Sequence, residues 1–346
     1  MTKKIAIVIG TTAEYIKMMP VFKEFEKRKI DIEFIHTGQH DLSELIKTFK
    51  TQQPSIIVNP KDGFKGDTGS AFGWAKTTTP MLKKILKENE KIEYVICHGD
   101  TMSTLIATIA GRLAGKKIVH VEAGLRSGNL FEPFPEEIVR RIVDSLSDVK
   151  FAVSNKTALR LKNEVYNVGN TSIDALNIAL KTTKKPKGFP KKYAVCTVHR
   201  HENIKSKKRM ISILDLITRI PMPVYFAIHK NTLSKIEEYG LKDELINSNV
   251  KIIDHKTYNE FVGILKYSSL ILTDGGSMQE EAATLNIPCV ILRMATEREE
   301  LLERGDQVLS KFGKIGGFNF IKKKKLYNPY YNGGASKQIV DIMVKK

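Results

Sequence analysis

The chain has 346 residues, 42% of them hydrophobic, which is enough apolar material for two α/β domains of ordinary size. Lysine and arginine (56) outnumber aspartate and glutamate (38), so the net charge is +18. The lysines are spread along the whole chain, and residues 322–325 form the one short tract. This spread favours a solvated surface that attracts an anionic substrate over a nucleic-acid-binding face. No apolar run has the roughly 18–20 residues that a membrane span needs.

The first segment, MTKKIAIVIG, predicts a β-strand and not a signal peptide, because glycine follows the short apolar run directly. Strand-like runs then alternate with helical stretches; the strands are IAIVIG, IEFIHTG, YVICHGD, KIVHVEAG and KFAVS. Apolar residues at helical spacing mark two of the helices, through Met18, Val21, Phe22 and Phe25 in one, and through Ile138, Ile142, Val143 and Leu146 in the other. This alternation predicts a doubly wound parallel sheet.

A second series of strands follows the polar stretch KTTKKPKGFPKK, and its members are YAVCTVH, VYFAIH, VKIID, LILTD and PCVILR. We therefore expect an α/β protein of two Rossmann-like parallel-sheet domains facing a cleft, residues 1–169 and 170–346. The last helix is expected to pack back on the first domain. Ligands of such sheets bind at the carboxyl ends of the strands, so the polar residues that follow the strands are the candidate site.

The three cysteines, Cys97, Cys196 and Cys289, each lie inside an apolar run and show no CxxC spacing. This pattern predicts reduced, buried thiols in a cytoplasmic protein.

Gly275 and Gly276 lie between the strand run LILTD and a helical stretch, where free backbone N–H groups favour a phosphate. Glu281, in the same helix, is suited to accept hydrogen bonds from neutral hydroxyls. The alternative is purely structural, because Ser277 and Glu280 have the spacing of a capping box.

Asp100 follows the strand run YVICHGD, and it is either a site carboxylate or, with Ser103 as the other candidate, an ordinary helix cap. His199, Arg200 and His201 end another strand. These three residues lack the ligand set of a zinc site, but their positive charge suits them to bind an anion. His229 ends a further strand, where a buried structural role and a site role are equally open.

The segment HVEAGLRSGNLFEPFPEEIVRR concentrates charged groups around one strand-to-helix connection. Helix-start preferences explain Glu136 and Glu137, which follow a proline, but they do not explain Glu122 or Arg126. Asp100, Glu122 and Glu136 are expected at adjacent strand ends, where grouped carboxylates suit proton transfer. Together with the expected anion site, they indicate proton chemistry on a substrate that has a phosphate leaving group.

The order of these motifs resembles that of the non-hydrolysing UDP-N-acetylglucosamine 2-epimerases. The matching segments are GTTAEYIKMMPV, HTGQH, HGDTMSTL, HVEAGLRSGNLFEPFPEE, VGNTSIDAL, TVHRHEN, TDGGSMQEEA, RMATERE and NPYYNGGAS, from residue 10 to about residue 336. The resemblance implies a two-domain fold of the GT-B type, with acid and base residues in the first domain and a nucleotide bound by the second.

The resemblance also implies roles for individual residues. Acid–base and leaving-group chemistry falls to Asp100, Glu122, Glu136 and His199. Substrate binding falls to Lys17, Arg126, His229, Asn231, Gly275, Gly276, Ser277, Glu281 and Arg298. Gln39, His40 and Arg200 correspond to positions that bind a second, activating UDP-sugar.

The reaction implied is elimination of UDP from UDP-GlcNAc, giving 2-acetamidoglucal, followed by re-addition that yields UDP-ManNAc. No metal or redox cofactor, no nucleic acid and no membrane are expected as partners, and a homodimer is expected. The sequence departs from the family pattern at Thr12, where an arginine is usual, at Thr232, where a proline is usual, and in the segments HRHE and DGGS.

Three rival functions remain open. The first is a hydrolysing epimerase or an epimerase of a related N-acetylated nucleotide sugar. The second is a GT-B glycosyltransferase, which would have no use for three carboxylates near the sugar C2. The third is a nucleic-acid-binding protein, which would show steeply salt-dependent binding.

Overall fold

The computed structural model describes residues 4–58, 68–130, 133–246, 248–254, 256–313, 326–331 and 334–346. The chain forms two compact units. Unit 1 comprises Met1–Leu125, Phe134–Ala175 and Tyr330–Lys346, and unit 2 comprises Arg126–Pro133 and Leu176–Pro329. The lysine tract at residues 322–325 lies outside the described residues.

Unit 1 is built on a parallel seven-stranded sheet of order β3-β2-β1-β4-β5-β6-β7. Its strands are β1 Lys4–Ile9, β2 Ile32–His36, β3 Ile56–Ile57, β4 Ile92–His98, β5 Lys117–Ala123, β6 Val149–Ala152 and β7 Glu164–Asn167. The helices of this part of the chain are α1 Thr12–Lys27, α2 Ser43–Phe49, α3 Thr68–Glu88, α4 Met102–Leu113, α5 Glu136–Leu146, α6 Asn155–Ala158 and α7 Thr171–Thr182.

Unit 2 is built on a parallel six-stranded sheet of order β10-β9-β8-β11-β12-β13. Its strands are β8 Ala194–Thr197, β9 Val224–Ala227, β10 Val250–Ile253, β11 Leu270–Thr273, β12 Cys289–Ile291 and β13 Gln307–Leu309. Its helices are α8 His201–Ile204, α9 Lys207–Thr218, α10 Lys230–Glu238, α11 Lys242–Ile246, α12 Tyr258–Lys266, α13 Gly276–Leu285 and α14 Glu299–Glu303. The last helix, α15 Ala335–Val344, returns to unit 1 and packs on α1.

These two sheets confirm the predicted α/β class with two Rossmann-like parallel sheets. In each sheet the strand order reverses beside a central strand, between β1 and β4 in unit 1 and between β8 and β11 in unit 2. Such a switch point leaves a crevice at the carboxyl ends of the two diverging strands. The loops after β1, β4, β8 and β11 are therefore placed to form the site in their respective units.

The apolar stripe predicted for α1 is confirmed, because Met18, Val21, Phe22 and Phe25 are all fully buried. The helix predicted from the spacing of Ile138, Ile142, Val143 and Leu146 is confirmed as α5, but of these four residues only Val143 is fully buried. The helix exposes 37% of Ile142 and turns Glu137, Arg140 and Asp144 inward with Val139 and Val143. Ion pairs as well as apolar packing therefore hold the buried face of α5.

Cys97, Cys196 and Cys289 are buried and free of disulfide bonds, as their apolar surroundings predicted. Among the described residues, no helix is long and apolar enough to cross a membrane.

Candidate functional site

Glu122 has an unusual backbone conformation at the end of β5. Its φ is +72°, a region that residues with a side chain rarely adopt. The pairing of β5 with β6 shifts register between Val121 and Ala123, so Glu122 lies in a bulge. Bulges turn a side chain out of the regular alternation of a strand and are frequent beside active sites. The bulge therefore explains how a strand residue presents a carboxylate at the sheet edge.

The carboxylate of Glu122 has an intramolecular cation partner. Lys17 Nζ, from α1, lies 2.9 and 2.8 Å from the two carboxylate oxygens, and Asn170 Nδ2 donates to Oε1 at 3.3 Å. The exposed fraction is 12% for the Lys17 side chain and 6% for that of Glu122. Lys17 was predicted as a substrate-binding residue; in this structure its ammonium group binds Glu122.

His98, the last residue of β4, lies next to the carboxylate of Glu122. Its Nε2 is 3.5 Å from Glu122 Oε2, and 2% of its side chain is exposed. Burial lowers the pKa of His98 to about 3, with Glu122 opposing the shift and Lys17 adding to it. His98 is therefore a neutral imidazole beside a carboxylate, and sequence reasoning did not identify it.

Asp100 does not cap α4, and neither does Ser103, so that structural alternative is wrong. The cap is Thr101, whose side chain accepts from the backbone N–H of Thr104. The Asp100 carboxylate instead binds Arg140 Nη2 from α5. Arg140 also donates to Glu137 Oε2 at 3.2 Å. Glu137, assigned from the sequence only to the helix dipole, is fully buried and links two arginines.

The backbone before Asp100 is fixed by a buried pair. Gly99 has a φ of +71°, and its carbonyl oxygen is 2.8 Å from His120 Nε2. The other ring nitrogen of His120 lies 2.7 Å from Asp144 Oδ1. A Cβ added to Gly99 would lie 3.3 Å from Glu122 Oε2. The loop that carries Asp100 thus runs directly past the carboxylate of Glu122.

Glu136 is the first residue of α5 and is half-buried, with Pro135 at the cap position before it. Unit 1 therefore brings Asp100 and Glu122 to the ends of neighbouring strands and Glu136 to a helix start in the connection that follows β5. These three carboxylates are thus held on three different backbone segments.

The loop after β1 is organised by a buried glutamate. Glu14 Oε2 accepts from the N–H groups of Gly10 and Thr11, and Oε1 accepts from the hydroxyls of Thr101 and Thr104. Burial raises the pKa of Glu14, and these hydrogen bonds oppose the shift. Glu14 consequently fixes the loops after β1 and β4 to each other.

The positions predicted for an activating nucleotide sugar lie in both units. In unit 1, Gln39 Oε1 accepts from Ser103 Oγ at 2.6 Å. His40 Nδ1 lies 3.4 Å from the N–H of Thr12, the residue that replaces the family arginine. Arg200, the third position, belongs to unit 2.

In unit 2, the buried carboxylate of Asp274 holds the loop after β8. Asp274 accepts from the N–H groups of His199 and Arg200 at 3.1 and 2.9 Å and from Asn203 Nδ2 at 3.0 Å. His199 Nδ1 lies 3.2 Å from Asp274 Oδ1. Desolvation lowers the pKa of His199 and Asp274 opposes this, but 43% of the side chain is exposed and solvent screens the effect. Asp274 therefore orients a histidine whose outer edge is open.

The start of α13, at the buried residues Gly275 and Gly276, lies against a cation. The helix begins at Gly276 after Gly275, so Ser277 is inside the helix and the predicted capping box of Ser277 and Glu280 is wrong. Glu280 instead accepts from Arg298 Nε at 2.6 Å. A Cβ on Gly276 would lie 2.4 Å from Arg298 Nη1, so the guanidinium packs against the helix start. Free N–H groups and a buried cation meet there.

Arg298 belongs to a larger cluster of buried charges. Glu297 accepts from Arg298 through Oε1 at 2.5 Å and from Arg293 through Oε2 at 2.8 Å. Arg200 Nη2 lies 3.9 Å from Glu297 Oε1. Three guanidinium groups thus lie around Glu297, and Glu280 is a second buried carboxylate bound to one of them, Arg298.

Of the remaining predicted residues of unit 2, Glu281 is buried, whereas His229 and Asn231 lie on the surface. Glu281 accepts from the Tyr258 hydroxyl at 3.0 Å, and burial together with Glu281 raises the pKa of that tyrosine. His229 and Asn231 are exposed and line a pocket of about 460 Å³ at the ends of β9 and β10, with Ile252 and Asp254 on its other side.

Arg126 is half-buried in the loop after β5. It belongs to the short segment Arg126–Pro133, which groups with unit 2. Within the described parts of the chain, no group of three or more His, Cys, Asp or Glu side chains could hold a metal ion.

Comparison with known proteins identifies the family of this chain. A family model described as UDP-N-acetylglucosamine 2-epimerase matches residues 23–344. The UDP-N-acetylglucosamine 2-epimerase of Methanococcus maripaludis is 35% identical over 98% of this chain and 98% of its own. The UDP-2,3-diacetamido-2,3-dideoxy-D-glucuronate 2-epimerase of Pseudomonas aeruginosa is 33% identical over 88% of each chain.

Among solved structures, UDP-GlcNAc 2-epimerase from Methanocaldococcus jannaschii in complex with UDP-GlcNAc and UDP superimposes with a TM-score of 0.90. It is 32% identical and covers 99% of this chain and 100% of its own. The protein therefore belongs to the UDP-N-acetylglucosamine 2-epimerase family and is an isomerase.

Proposed function

We propose that this enzyme interconverts UDP-GlcNAc and UDP-ManNAc without net hydrolysis. A carboxylate takes the proton from the sugar C2 while the C1–O bond breaks, which releases UDP and leaves 2-acetamidoglucal. UDP then adds back to C1, and C2 receives a proton on its opposite face. The observation that carries the proposal is the pair of cation-bound carboxylates, Glu122 with Lys17 and Asp100 with Arg140, at the ends of neighbouring strands.

Inversion at C2 requires two proton-transfer groups, because the proton leaves one face of the ring and returns to the other. Asp100, Glu122 and Glu136 provide carboxylates on different backbone segments, so opposite faces can be served without a large movement of any one group. Lys17 binds the carboxylate of Glu122 and Arg140 binds that of Asp100, so each of these two carboxylates is held in place by a cation. An ionised carboxylate is what a general base at C2 must be.

No carbonyl group acidifies the C2 proton, so the bond between C1 and UDP must break with substantial oxocarbenium character as the proton leaves. Charge that develops on the diphosphate must be stabilised in the transition state. The N–H groups at the start of α13, the Arg298 guanidinium beside Gly276, and His199 are the groups in unit 2 with this capacity. We assign the ribose hydroxyls to Glu281, and the nucleoside to the pocket lined by His229 and Asn231.

Proton NMR of UDP-GlcNAc incubated with the enzyme in D₂O tests the proposal. We expect UDP-ManNAc to appear and deuterium to enter at C2 of both sugars. Free ManNAc together with UDP would instead identify the hydrolysing form. A Glu136→Gln variant with full turnover would contradict the acid–base assignment and favour a glycosyltransferase.

A related 2-acetamido nucleotide sugar is a second candidate substrate. Support comes from Thr12, which replaces an arginine in the first loop, and from the similarity to an epimerase named for a diacetamido sugar acid. The same NMR experiment with UDP-2,3-diacetamido-2,3-dideoxy-D-glucuronate compares the two substrates directly. A higher kcat/KM for that compound than for UDP-GlcNAc would make it the substrate.

We further propose that a second UDP-GlcNAc activates the enzyme through Gln39, His40 and Arg200, and that the enzyme is a homodimer. Activation predicts a sigmoidal rate curve with UDP-GlcNAc, and Gln39→Ala should make the curve hyperbolic. Light scattering measures the mass of the assembly, and a mass near 39 kDa would contradict the dimer.

A further inference from the structure

The carboxylate of Asp100 is held by a chain of buried charges that reaches it from α5. Arg140 Nη2 binds Asp100 Oδ2, and Arg140 Nη1 binds Glu137 Oε2. Arg140 is 4% exposed and Glu137 is fully buried, whereas Asp100 is 25% exposed. Of these three linked side chains, the Asp100 carboxylate is therefore the one that a substrate can reach.

A guanidinium that donates in two directions restricts a carboxylate more than a simple positive charge does. The planar group fixes the distance and the plane of both partners, and here one partner is locked in the first turn of α5. The backbone of Asp100 is fixed separately, because the preceding Gly99 carbonyl lies 2.8 Å from His120 Nε2. Main chain and side chain are thus restrained by different neighbours.

We propose that Arg140, itself held by Glu137, is the positioning residue that sets the orientation of Asp100 for proton transfer at the sugar C2. The inference rests on the proposed function. Arg140 need not touch the substrate, so its effect should appear in turnover and not in nucleotide binding. An error of about 1 Å in the position of a reacting group costs about a hundredfold in rate.

The adjacent arginine provides a matched control. Arg141 also binds Glu137, with Nε 3.1 Å from Oε1, but its side chain is 48% exposed. Arg140→Met and Arg141→Met make the same change in charge and size at neighbouring positions of one helix. We expect kcat to fall about a hundredfold in R140M and less than threefold in R141M, with the Kd for UDP unchanged in both.

A double-mutant comparison separates positioning from a general loss of structure. If Arg140 acts through Asp100, R140M should cost little further activity in an Asp100→Asn background, whereas unrelated damage would add in full. Arg140→Lys should restore only part of kcat, since lysine supplies the charge without the two-way geometry. Equal losses in R140M and R141M, or additive losses with D100N, would overturn the inference.

A spectroscopic readout keeps this test distinct from that of the proposed function. In protein with ¹³C-labelled aspartate, the side-chain carboxyl resonance of Asp100 should shift in R140M and stay in place in R141M. Wild-type enzyme that is inactive on every 2-acetamido sugar offered would overturn the proposed function alone. An Asp100 resonance that is unchanged in R140M would overturn the positioning role whatever the activity.

Discussion

Lys17 Nζ lies within 2.9 Å of both carboxylate oxygens of Glu122, and both side chains are largely buried. Removal of one partner of a buried ion pair leaves an uncompensated charge and costs about 3–5 kcal/mol. We expect Lys17→Met to lower the free energy of unfolding by about 3 kcal/mol in urea denaturation followed by circular dichroism. Lys27→Met, at an exposed position of the same helix, should change it by less than about 0.5 kcal/mol.

A second substitution checks the cause of that loss. Lys17→Met combined with Glu122→Gln removes both charges, so the double variant should be more stable than K17M alone. A double variant that is less stable than K17M would mean that the other contacts of the Glu122 carboxylate, such as the hydrogen bond from Asn170, outweigh the cost of its unpaired charge.

The stability of the fold should fall in mild acid because of His98. Its pKa of about 3 in the fold is below its ordinary value of 6.5, so the unfolded chain binds the proton first as the pH falls. The unfolding free energy should therefore decrease between pH 6.5 and 5, by about 1.5 kcal/mol from this residue. His36 and His40, whose pKa values burial also lowers, act in the same direction.

Denaturation of His98→Gln at pH 7 and pH 5 isolates the contribution of His98 to the slope of the unfolding free energy against pH. The variant should lose less stability over that interval than the wild type, whatever its stability at pH 7. His201→Gln, at an exposed position, should keep the wild-type slope. Identical slopes in all three proteins would show that His98 can be protonated in the folded state.

Gly276→Ala should weaken nucleotide binding, because the added methyl group would lie 2.4 Å from Arg298 Nη1. The guanidinium would have to leave its bonds to Glu280 and Glu297 at the start of α13. We expect the Kd for UDP, measured by calorimetry, to rise at least tenfold, about 1.4 kcal/mol. Gly73→Ala, where the methyl group meets no atom within 4 Å, should leave the Kd unchanged.

The cysteines should be unreactive in the folded protein. Burial raises the pKa of Cys97 to about 12 and raises the pKa values of Cys196 and Cys289 as well. Since the thiolate is the reactive form, a thiol reagent should label no cysteine in buffer and three in denaturant. Labelling of one cysteine at the rate of a free thiol would reveal local opening of the sheet that contains it.

The central strands could be predicted because parallel strands covered on both faces are continuous apolar runs. The runs at β3, β7 and β13 were missed. These strands are short, they lie at sheet edges, and Glu164 and Gln307 begin two of them. Pairing with one neighbour demands little hydrophobicity, so such strands have no distinctive pattern. In α5 the helix could be predicted but its buried face could not, since charged residues replace apolar ones on that face.

The sequence could nominate a site residue where a polar side chain comes two positions after a strand, as Asp100 and His199 do. Arg140 and Glu137 were not identified, because a charge on a helix faces solvent unless a tertiary partner fixes it, and that partner is not near in sequence. His98 was missed for a related reason. It lies within the apolar run of β4, where a histidine resembles any buried strand residue until its neighbour Glu122 is known.

The return of α15 to unit 1 affects the order in which the protein can fold. Met343 and Val340 are buried, and Arg28 at the end of α1 binds Asp341 at 2.6 Å. The first unit to emerge during synthesis therefore lacks part of its core until after unit 2 has been made. A fragment that ends before Tyr330 would lack α15 and expose the surface of α1 on which it packs, and aggregation of such fragments on the ribosome is the expected result.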